Sequence, residues 1–180
     1  MSIWIIISYL ILSLLCIWFV VRMYGKQKKQ YANSILSTYI FFSLVFIAIW
    51  SLKLTVPSYV IGFSMLAVFF TCFFGYYLEY YLRSKTFDRF LHAFGSFSFA
   101  QLSFCILDDF IDTNSSKIFR STFIFLLGNT LGIIIELAEA NLDKKANIKN
   151  QRGLKDTNMD LLSDMIGSIL ASIVAYFWLF

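Results

Sequence analysis

Charged residues and proline are scarce in this sequence. Of its 180 residues 14% are charged and one is proline, whereas 59% are hydrophobic and 19% are aromatic. Soluble domains are usually about 45–50% apolar and about 25% charged, so the composition excludes that class. It also excludes intrinsic disorder, which requires low hydrophobicity together with high net charge. We therefore predict an all-α, polytopic membrane helical bundle.

A polar stretch of domain size is also missing, so we predict a single integral membrane domain over residues 1–180. About 20 residues cross the hydrocarbon core of a bilayer as a helix, and the length therefore accommodates about six spans. The first apolar segment has no basic residues before it, which indicates a true span rather than a cleaved signal peptide. The predicted spans are Ile3–Val21, Asn33–Leu52, Leu54–Leu78, Phe90–Leu107, Ser121–Ala138 and Leu161–Phe180.

Most of the basic residues fall in three alternate loops, the first, third and fifth. These are Arg22, Lys26, Lys28, Lys29, Arg83, Lys85, Arg89, Lys144, Lys145, Lys149, Arg152 and Lys155. Short loops rich in Lys and Arg stay in the cytoplasm, so we expect both termini to be external. The net charge of +4 is then a signal of topology. We expect membrane lipid as a partner and no nucleic acid, and the oligomeric state is left open.

Cysteine and histidine are rare as well. Cys16, Cys72 and Cys105 lie inside apolar spans without metal-ligand spacing, and they are interpreted as small buried hydrophobic residues. His92 is the single histidine. Neither an internal repeat nor a glycine-rich phosphate loop is present.

Acidic residues recur with a spacing of three or four at three predicted helix ends. Such spacing places side chains on one face of a helix. With the predicted topology, all three ends face the cytoplasm, so the groups converge at one depth. The groups are Asp88 with His92, Glu136 with Glu139, and Asp156 with Asp160 and Asp164.

Two of these acids are hard to explain by helix formation alone. Asp164 is followed only by apolar and small residues, and a carboxylate at membrane depth costs on the order of 2.5–3.5 kcal/mol. Glu136 lies near a helix C-terminus, where the helix dipole disfavours an acid. In contrast, the dipole alone can explain Asp88. Asp156 or Thr157 can act as the N-cap of the sixth span, with Asp160 as a capping-box partner.

The remaining acids are expected to be solvated. Asp108, Asp109 and Asp112 fall in the predicted external loop, with weak cation binding as the alternative reading. Glu79 and Asp143 are expected in water among basic neighbours on the cytoplasmic side.

Small and amide residues predict the helix packing. Gly128–Gly132 forms a GxxxG motif in the fifth span, and Gly167 with Ala171 forms a small-xxx-small pair in the sixth. Both favour close approach of the two acid-bearing helices. Gln101 and Asn129, in mid-span, are expected to form interhelical hydrogen bonds.

Carboxylates crowded around one imidazole are relieved by binding a divalent cation or by retaining protons. Oxygen ligands with one imidazole suit Mg²⁺, Mn²⁺ or Fe²⁺. The predicted catalytic residues are His92, Glu136 and Asp164. The predicted metal ligands are Asp88, His92, Glu136, Glu139, Asp160 and Asp164. The predicted substrate-binding residues are Gln151, Arg152, Lys155 and Asp156.

Three functions are compatible with this pattern. A metal with basic residues over it favours an enzyme that hydrolyses or transfers a lipid or lipid-linked substrate. The same acids suit a proton- or cation-coupled transporter, with Gln101 and Asn129 as the only mid-span polar candidates for its path. The third function is a non-catalytic membrane partner whose buried acids pair with Arg89 or Arg152.

Three motifs in residues 87–171 resemble one family as a set. Phe87–Gly95 resembles the "YDR..H...G" element of the YjdF-like bacterial inner-membrane proteins, Ile135–Glu139 their "E..E" element, and Gln151–Leu161 their "Q-G-D-x-x-D-T-x-x-D-M" element, followed by Gly167. A more distant similarity is to VanZ-like proteins. Arg152–Leu154 departs from the family's "QGD" and lacks its acid. The resemblance implies a polytopic protein of the bacterial cytoplasmic membrane and supplies no chemistry.

Overall fold

The computed structural model describes residues 2–111, 115–144 and 151–180, which form helices and no strand. Six helices, counting the third with its π-helical continuation, are long and apolar enough to cross a membrane. This confirms the predicted all-α, six-span architecture. The helices are α1 (Ile3–Gly25), α2 (Lys29–Ser51), α3 (Ser58–Phe70), a π-helical segment (Thr71–Tyr77), α4 (Tyr80–Arg83), α5 (Lys85–Ile111), α6 (Lys117–Asp143) and α7 (Leu154–Trp178).

The last three long helices extend beyond their predicted apolar segments. Helix α5 begins at Lys85 instead of Phe90, and α7 begins at Leu154 instead of Leu161. Helix α6 continues to Asp143. Hydropathy detects the apolar stretch alone, whereas these polar ends extend the helices and bury single acidic side chains, at Asp88, Asp143, Asp156 and Asp160. The acidic groups therefore lie within helices.

The chain divides into two compact units, Met1–Ser84 (unit 1) and Lys85–Phe180 (unit 2). The motif-bearing residues 87–171 all fall in unit 2. The single integral domain over residues 1–180 stays a prediction.

Unit 1 packs α1, α2, α3 and the π-helical segment through aromatic rings. The ring centroid of Phe19 lies 5.3 Å from that of Phe73 and 4.9 Å from that of Tyr77. Gly75 is buried in the π-helical segment, where a Cβ atom would overlap the Tyr81 ring. The wider π turn was not predicted from the sequence.

The three cysteines are buried and reduced, as predicted. In unit 1 Cys16 and Cys72 lie close enough for their side chains to interact, a proximity that the sequence did not suggest. Glu79, in the left-handed conformation at φ 62°, pairs with Lys28.

Unit 2 brings α5, α6 and α7 into mutual contact. The GxxxG motif lies against α7, as predicted, because a Cβ atom at Gly128 would overlap the Ser168 side chain. A Cβ atom at Gly132 would lie 2.5 Å from Asp164 Oδ2. These two glycines therefore set how close α7 comes to α6.

Gly167 packs against a different helix from the one predicted. A Cβ atom there would overlap the Ala93 carbonyl oxygen of α5, so Gly167 sets the approach of α7 to α5. The small-xxx-small pair thus faces α5 at Gly167, whereas Ala171 joins the apolar core described next.

An apolar core fills unit 2 away from the acidic residues. Its buried members are Ala100, Phe104, Ile124, Ala171 and Ala175. The prediction of interhelical hydrogen bonds for the nearby amides is wrong. Gln101 and Asn129 donate to carbonyl oxygens of their own helices, at Phe97 (3.2 Å) and Phe125 (2.7 Å).

The acids at the far end of α5 lie in the helix, so their placement in a loop was wrong for Asp108 and Asp109. Asp108 forms an ion pair with Arg120, whose guanidinium carbon lies 4.1 Å from the centroid of the Phe180 ring. Asp112 lies outside the described residues, as do Lys145 and Lys149.

Candidate functional site

Buried acids of unit 2 gather where α5 and α7 begin and α6 ends. Each is at least nine-tenths buried, and each lies in a helix that is long and apolar enough to span a membrane. This confirms that the three acidic groups converge. We name these acids, together with His92, the carboxylate cluster: Asp88, His92, Glu136, Asp156, Asp160 and Asp164.

The His92 ring is oriented by Asp164. Its Nδ1 atom lies 3.2 Å from Asp164 Oδ2. Ser96, one turn further along α5, donates a 2.7 Å hydrogen bond to Asp164 Oδ1, so both carboxylate oxygens are engaged. A carboxylate at Nδ1 favours the tautomer that carries its proton there, which leaves Nε2 with a free lone pair.

The Glu136 carboxylate is fixed on one side by Gln151. The Gln151 Nε2 atom donates to Glu136 Oε2 at 2.7 Å and to the Glu136 carbonyl oxygen at 2.9 Å. The other oxygen, Oε1, is buried, has no hydrogen-bond partner, and lies 3.8 Å from His92 Nε2. Gln151 was predicted to bind substrate, and it lies here against a predicted metal ligand.

Asp160 completes a group that we name the open triad: His92, Glu136 and Asp160. Each contributes a ligand atom, and these atoms lie within 4.8 Å of one another. Asp160 Oδ1 is buried and, like Glu136 Oε1, has no hydrogen-bond partner. Metal–ligand bonds of about 2.0–2.2 Å bring neighbouring ligand atoms to about 3–3.5 Å, so the three side chains would have to move closer together to coordinate an ion.

A second group, which we name the arginine-bound triad, comprises Asp88, Asp156 and Asp160, again with ligand atoms within 4.8 Å of one another. The Arg152 guanidinium lies against it. Its Nε donates to Asp156 Oδ2 at 3.0 Å, and its Nη2 donates to Asp88 Oδ2. Burial opposes the charge, but these two carboxylates raise the pKa of Arg152 above its usual value. Arg152 was predicted as a substrate ligand.

Asp156 does not cap α7 in the way that the sequence suggested. The N-cap is Gly153, at φ 107°. Asp156 instead lies at the third helical position and accepts the Arg152 backbone N–H at 3.3 Å. The N-cap prediction failed because a glycine with positive φ starts the helix three residues earlier.

Some predicted residues lie outside both triads. Asp164 contacts His92 and belongs to neither triad. Glu139 is half-buried one turn from Glu136, close enough to the cluster to interact with its charges. Lys155 is exposed.

The sequence reasoning missed Ser96 and wrongly expected Asp143 to be solvated. Ser96 was not singled out, although it follows His92 by four residues on the same face of α5. Asp143 was expected in water but is buried, and its Oδ2 accepts the Gln151 backbone N–H at 2.8 Å. It follows Glu136 by seven residues, a spacing that repeats one helix face and would have identified it.

The chain is similar to a protein of Thermotoga maritima described as "Uncharacterized protein". The two are 31% identical over 114 residues, which cover 61% of this chain and 58% of that protein, so the match spans less than two thirds of the relative. No solved structure matches the chain. The family described as "Predicted membrane protein (DUF2238)" matches residues 5–179, and the chain, with its membrane-spanning helices and buried carboxylates, belongs to that family.

Proposed function

We propose that the open triad binds one divalent metal ion, and that the protein is a metal-dependent enzyme acting on a lipid or lipid-linked substrate. The observation that supports this most directly is the pair of oxygens Glu136 Oε1 and Asp160 Oδ1. Both are buried without a hydrogen-bond partner. Leaving a buried acceptor unsatisfied costs about 1–3 kcal/mol, more if it is charged, and a bound cation removes that cost.

The surroundings of the open triad also suit a metal. Histidine ligands in metal sites usually donate their second N–H to a carboxylate, which fixes the ring and makes it a stronger ligand. Asp164 is placed for this role, and Ser96 holds Asp164. Gln151 holds Glu136 in the same way. In this proposal Asp164 positions His92, whereas His92, Glu136 and Asp160 contact the ion.

The ligand set favours Mn²⁺ or Fe²⁺ over Mg²⁺. One imidazole nitrogen with two carboxylates is a mixed donor set, and Mg²⁺ prefers oxygen alone. Three protein ligands leave coordination positions for water and substrate. A metal so placed polarises a phosphoryl or carbonyl oxygen, or supplies a hydroxide near neutral pH.

The position of the site suggests the substrate. The cluster lies at one end of three helices that are long and apolar enough to span a membrane, and we infer that this end lies near the lipid headgroups. Basic residues favour the cytoplasmic leaflet of a bacterial inner membrane as this end, with both termini external. Exposed Lys155 is available to an anionic headgroup. The resemblance to YjdF-like proteins belongs to the same proposal.

The competing functions are less well supported. A coupled transporter needs a continuous polar path. Beyond the cluster, unit 2 has an apolar core that includes Phe104 and Ile124, and the mid-span amides of Gln101 and Asn129 donate within their own helices. A purely structural pairing of acids with Arg152 accounts for Asp88 and Asp156. It leaves unexplained why Glu136 Oε1 and Asp160 Oδ1 are buried without a hydrogen bond.

Metal binding is tested on the full chain in detergent, dialysed against Mn²⁺ and measured by elemental analysis and electron paramagnetic resonance. We expect one Mn²⁺ per wild-type chain and a loss of binding of at least tenfold in Glu136→Gln and Asp160→Asn. Asp109→Asn is the matched control because Asp109 is an exposed carboxylate on the far part of α5. Equal binding by all four proteins would refute the metal site.

Activity is tested by incubating the Mn²⁺-loaded protein with bacterial lipid extract and following lipid products by mass spectrometry. Conversion should depend on Mn²⁺, disappear in Glu136→Gln and persist in Asp109→Asn. A product that forms equally with Glu136→Gln would contradict the assignment of chemistry to this triad.

A further inference from the structure

Arg152 occupies a position that suits a second metal ion. The three carboxylates of the arginine-bound triad lie on α5 and α7, and all are more than nine-tenths buried. The guanidinium contacts Asp88 and Asp156. Asp160 Oδ1 keeps no hydrogen-bond partner, so the guanidinium leaves part of this triad's acceptor capacity unused.

The charges around this triad are unbalanced. One guanidinium and, when it is protonated, the His92 imidazole face three carboxylates, and Glu136 and Glu139 interact electrostatically with the same group. Charged groups at this depth are stable only when they are paired. A divalent ion carries twice the charge of Arg152 and binds oxygen ligands directly, so it would neutralise the triad more completely.

Arg152 reaches the triad from outside the helices that carry the carboxylates. It precedes α7, whereas the carboxylates that it contacts lie within helices. Its side chain is 21% exposed, more than that of Asp88 (9%) or Asp156 (3%). The next residue, Gly153, has φ 107°, a conformation that other residues rarely adopt and that allows the segment to turn.

We infer that Asp88, Asp156 and Asp160 form a second divalent-cation subsite, which the Arg152 guanidinium fills. The centre then takes one ion while Arg152 is in place and two when Arg152 is removed, with Asp160 as the carboxylate shared by both ions. Carboxylate-linked ions in two-metal sites lie about 3.5–4 Å apart and act together on one substrate oxygen. The inference rests on the proposed function only through Asp160.

The test compares Mn²⁺ stoichiometry in the full chain with and without the guanidinium. Arg152→Gln should bind one more Mn²⁺ than wild type, and its resonance spectrum should show coupling between two nearby ions. The added ion should be lost in Asp88→Asn/Arg152→Gln. The matched control is Arg120→Gln, which removes the arginine of the Arg120–Asp108 ion pair in unit 2 and should bind no additional Mn²⁺.

Failure of the two proposals is distinguishable. If the open triad binds no metal, wild type binds none and Arg152→Gln binds one. In Glu136→Gln/Arg152→Gln, the second subsite should keep its ion alone. An unchanged stoichiometry in folded Arg152→Gln overturns the inference, as does an added ion that survives in Asp88→Asn/Arg152→Gln.

Folding of the variant provides a second measurement. If Arg152→Gln is not monodisperse without metal, we expect Mn²⁺ added during extraction to restore a monodisperse protein. Asp88→Asn/Arg152→Gln, which also loses a negative charge, should be monodisperse without Mn²⁺. Arg152→Gln that aggregates at every Mn²⁺ concentration, beside a monodisperse double variant, also overturns the inference.

Discussion

Gly132→Ala tests how closely α6 and α7 must approach to build the site. The new Cβ atom would lie 2.5 Å from Asp164 Oδ2, 2.6 Å from its Cγ and 2.7 Å from its Cβ. Asp164 cannot move freely because Ser96 and His92 hold its two oxygens. Overpacking of this kind costs about 1–3 kcal/mol. Loss of a carboxylate that orients a histidine ligand lowers metal affinity by about 10–100-fold.

Gly95→Ala is the matched control. Gly95 lies in α5, and a Cβ atom there would meet no atom within 4 Å. Both substitutions gain about 0.8–1.0 kcal/mol of helix propensity, so the difference between them isolates the clash. Thermal unfolding in detergent and Mn²⁺ titration should show Gly132→Ala less stable than Gly95→Ala by about 1–3 kcal/mol, with weaker binding. Equal stability and equal Mn²⁺ affinity would refute the reasoning.

Two further substitutions separate the site from the rest of unit 2. Gln151→Ala removes both hydrogen bonds to Glu136, so Mn²⁺ affinity in an equilibrium titration should fall by about 10–100-fold. An affinity within about twofold of wild type would contradict the proposal that Gln151 holds Glu136 in place for the metal. Arg120→Gln loses its Asp108 pair and its contact with the Phe180 ring, so the free energy of unfolding should fall by about 0.5–2 kcal/mol while Mn²⁺ affinity stays unchanged. A change in that affinity would show that the two ends of unit 2 are coupled.

Hydropathy and residue spacing were sufficient for the architecture and for the convergence of the acidic groups. Apolar runs of membrane length require helices, because backbone groups in lipid must be satisfied within the segment. Helical spacing then placed Asp160 and Asp164 on one face. The cost of isolated carboxylates in lipid identified Glu136 and Asp164 as functional candidates.

The roles within the site depend on distances that spacing does not encode. Asp164 and Asp160 are equivalent in the sequence pattern, yet one contacts His92 Nδ1 and the other belongs to both triads. Gln151 and Arg152 are adjacent in the chain and bind different carboxylates because the conformation at Gly153 starts α7 directly after them. Solvation of Asp143 was mispredicted because its burial results from contact with that same segment.

Gln151 and Arg152 attach the start of α7 to both neighbouring helices. Both residues precede α7, yet Gln151 binds Glu136 on α6 and Arg152 binds Asp88 on α5. The contacts that hold the start of α7 to α5 and α6 therefore come from residues that follow residues 145–150 in the sequence. Tolerance of insertion depends on which backbone groups are buried and hydrogen-bonded. Since the side chains of Gln151 and Arg152 make this joint, we expect both triads to stay assembled when residues are inserted into the connection.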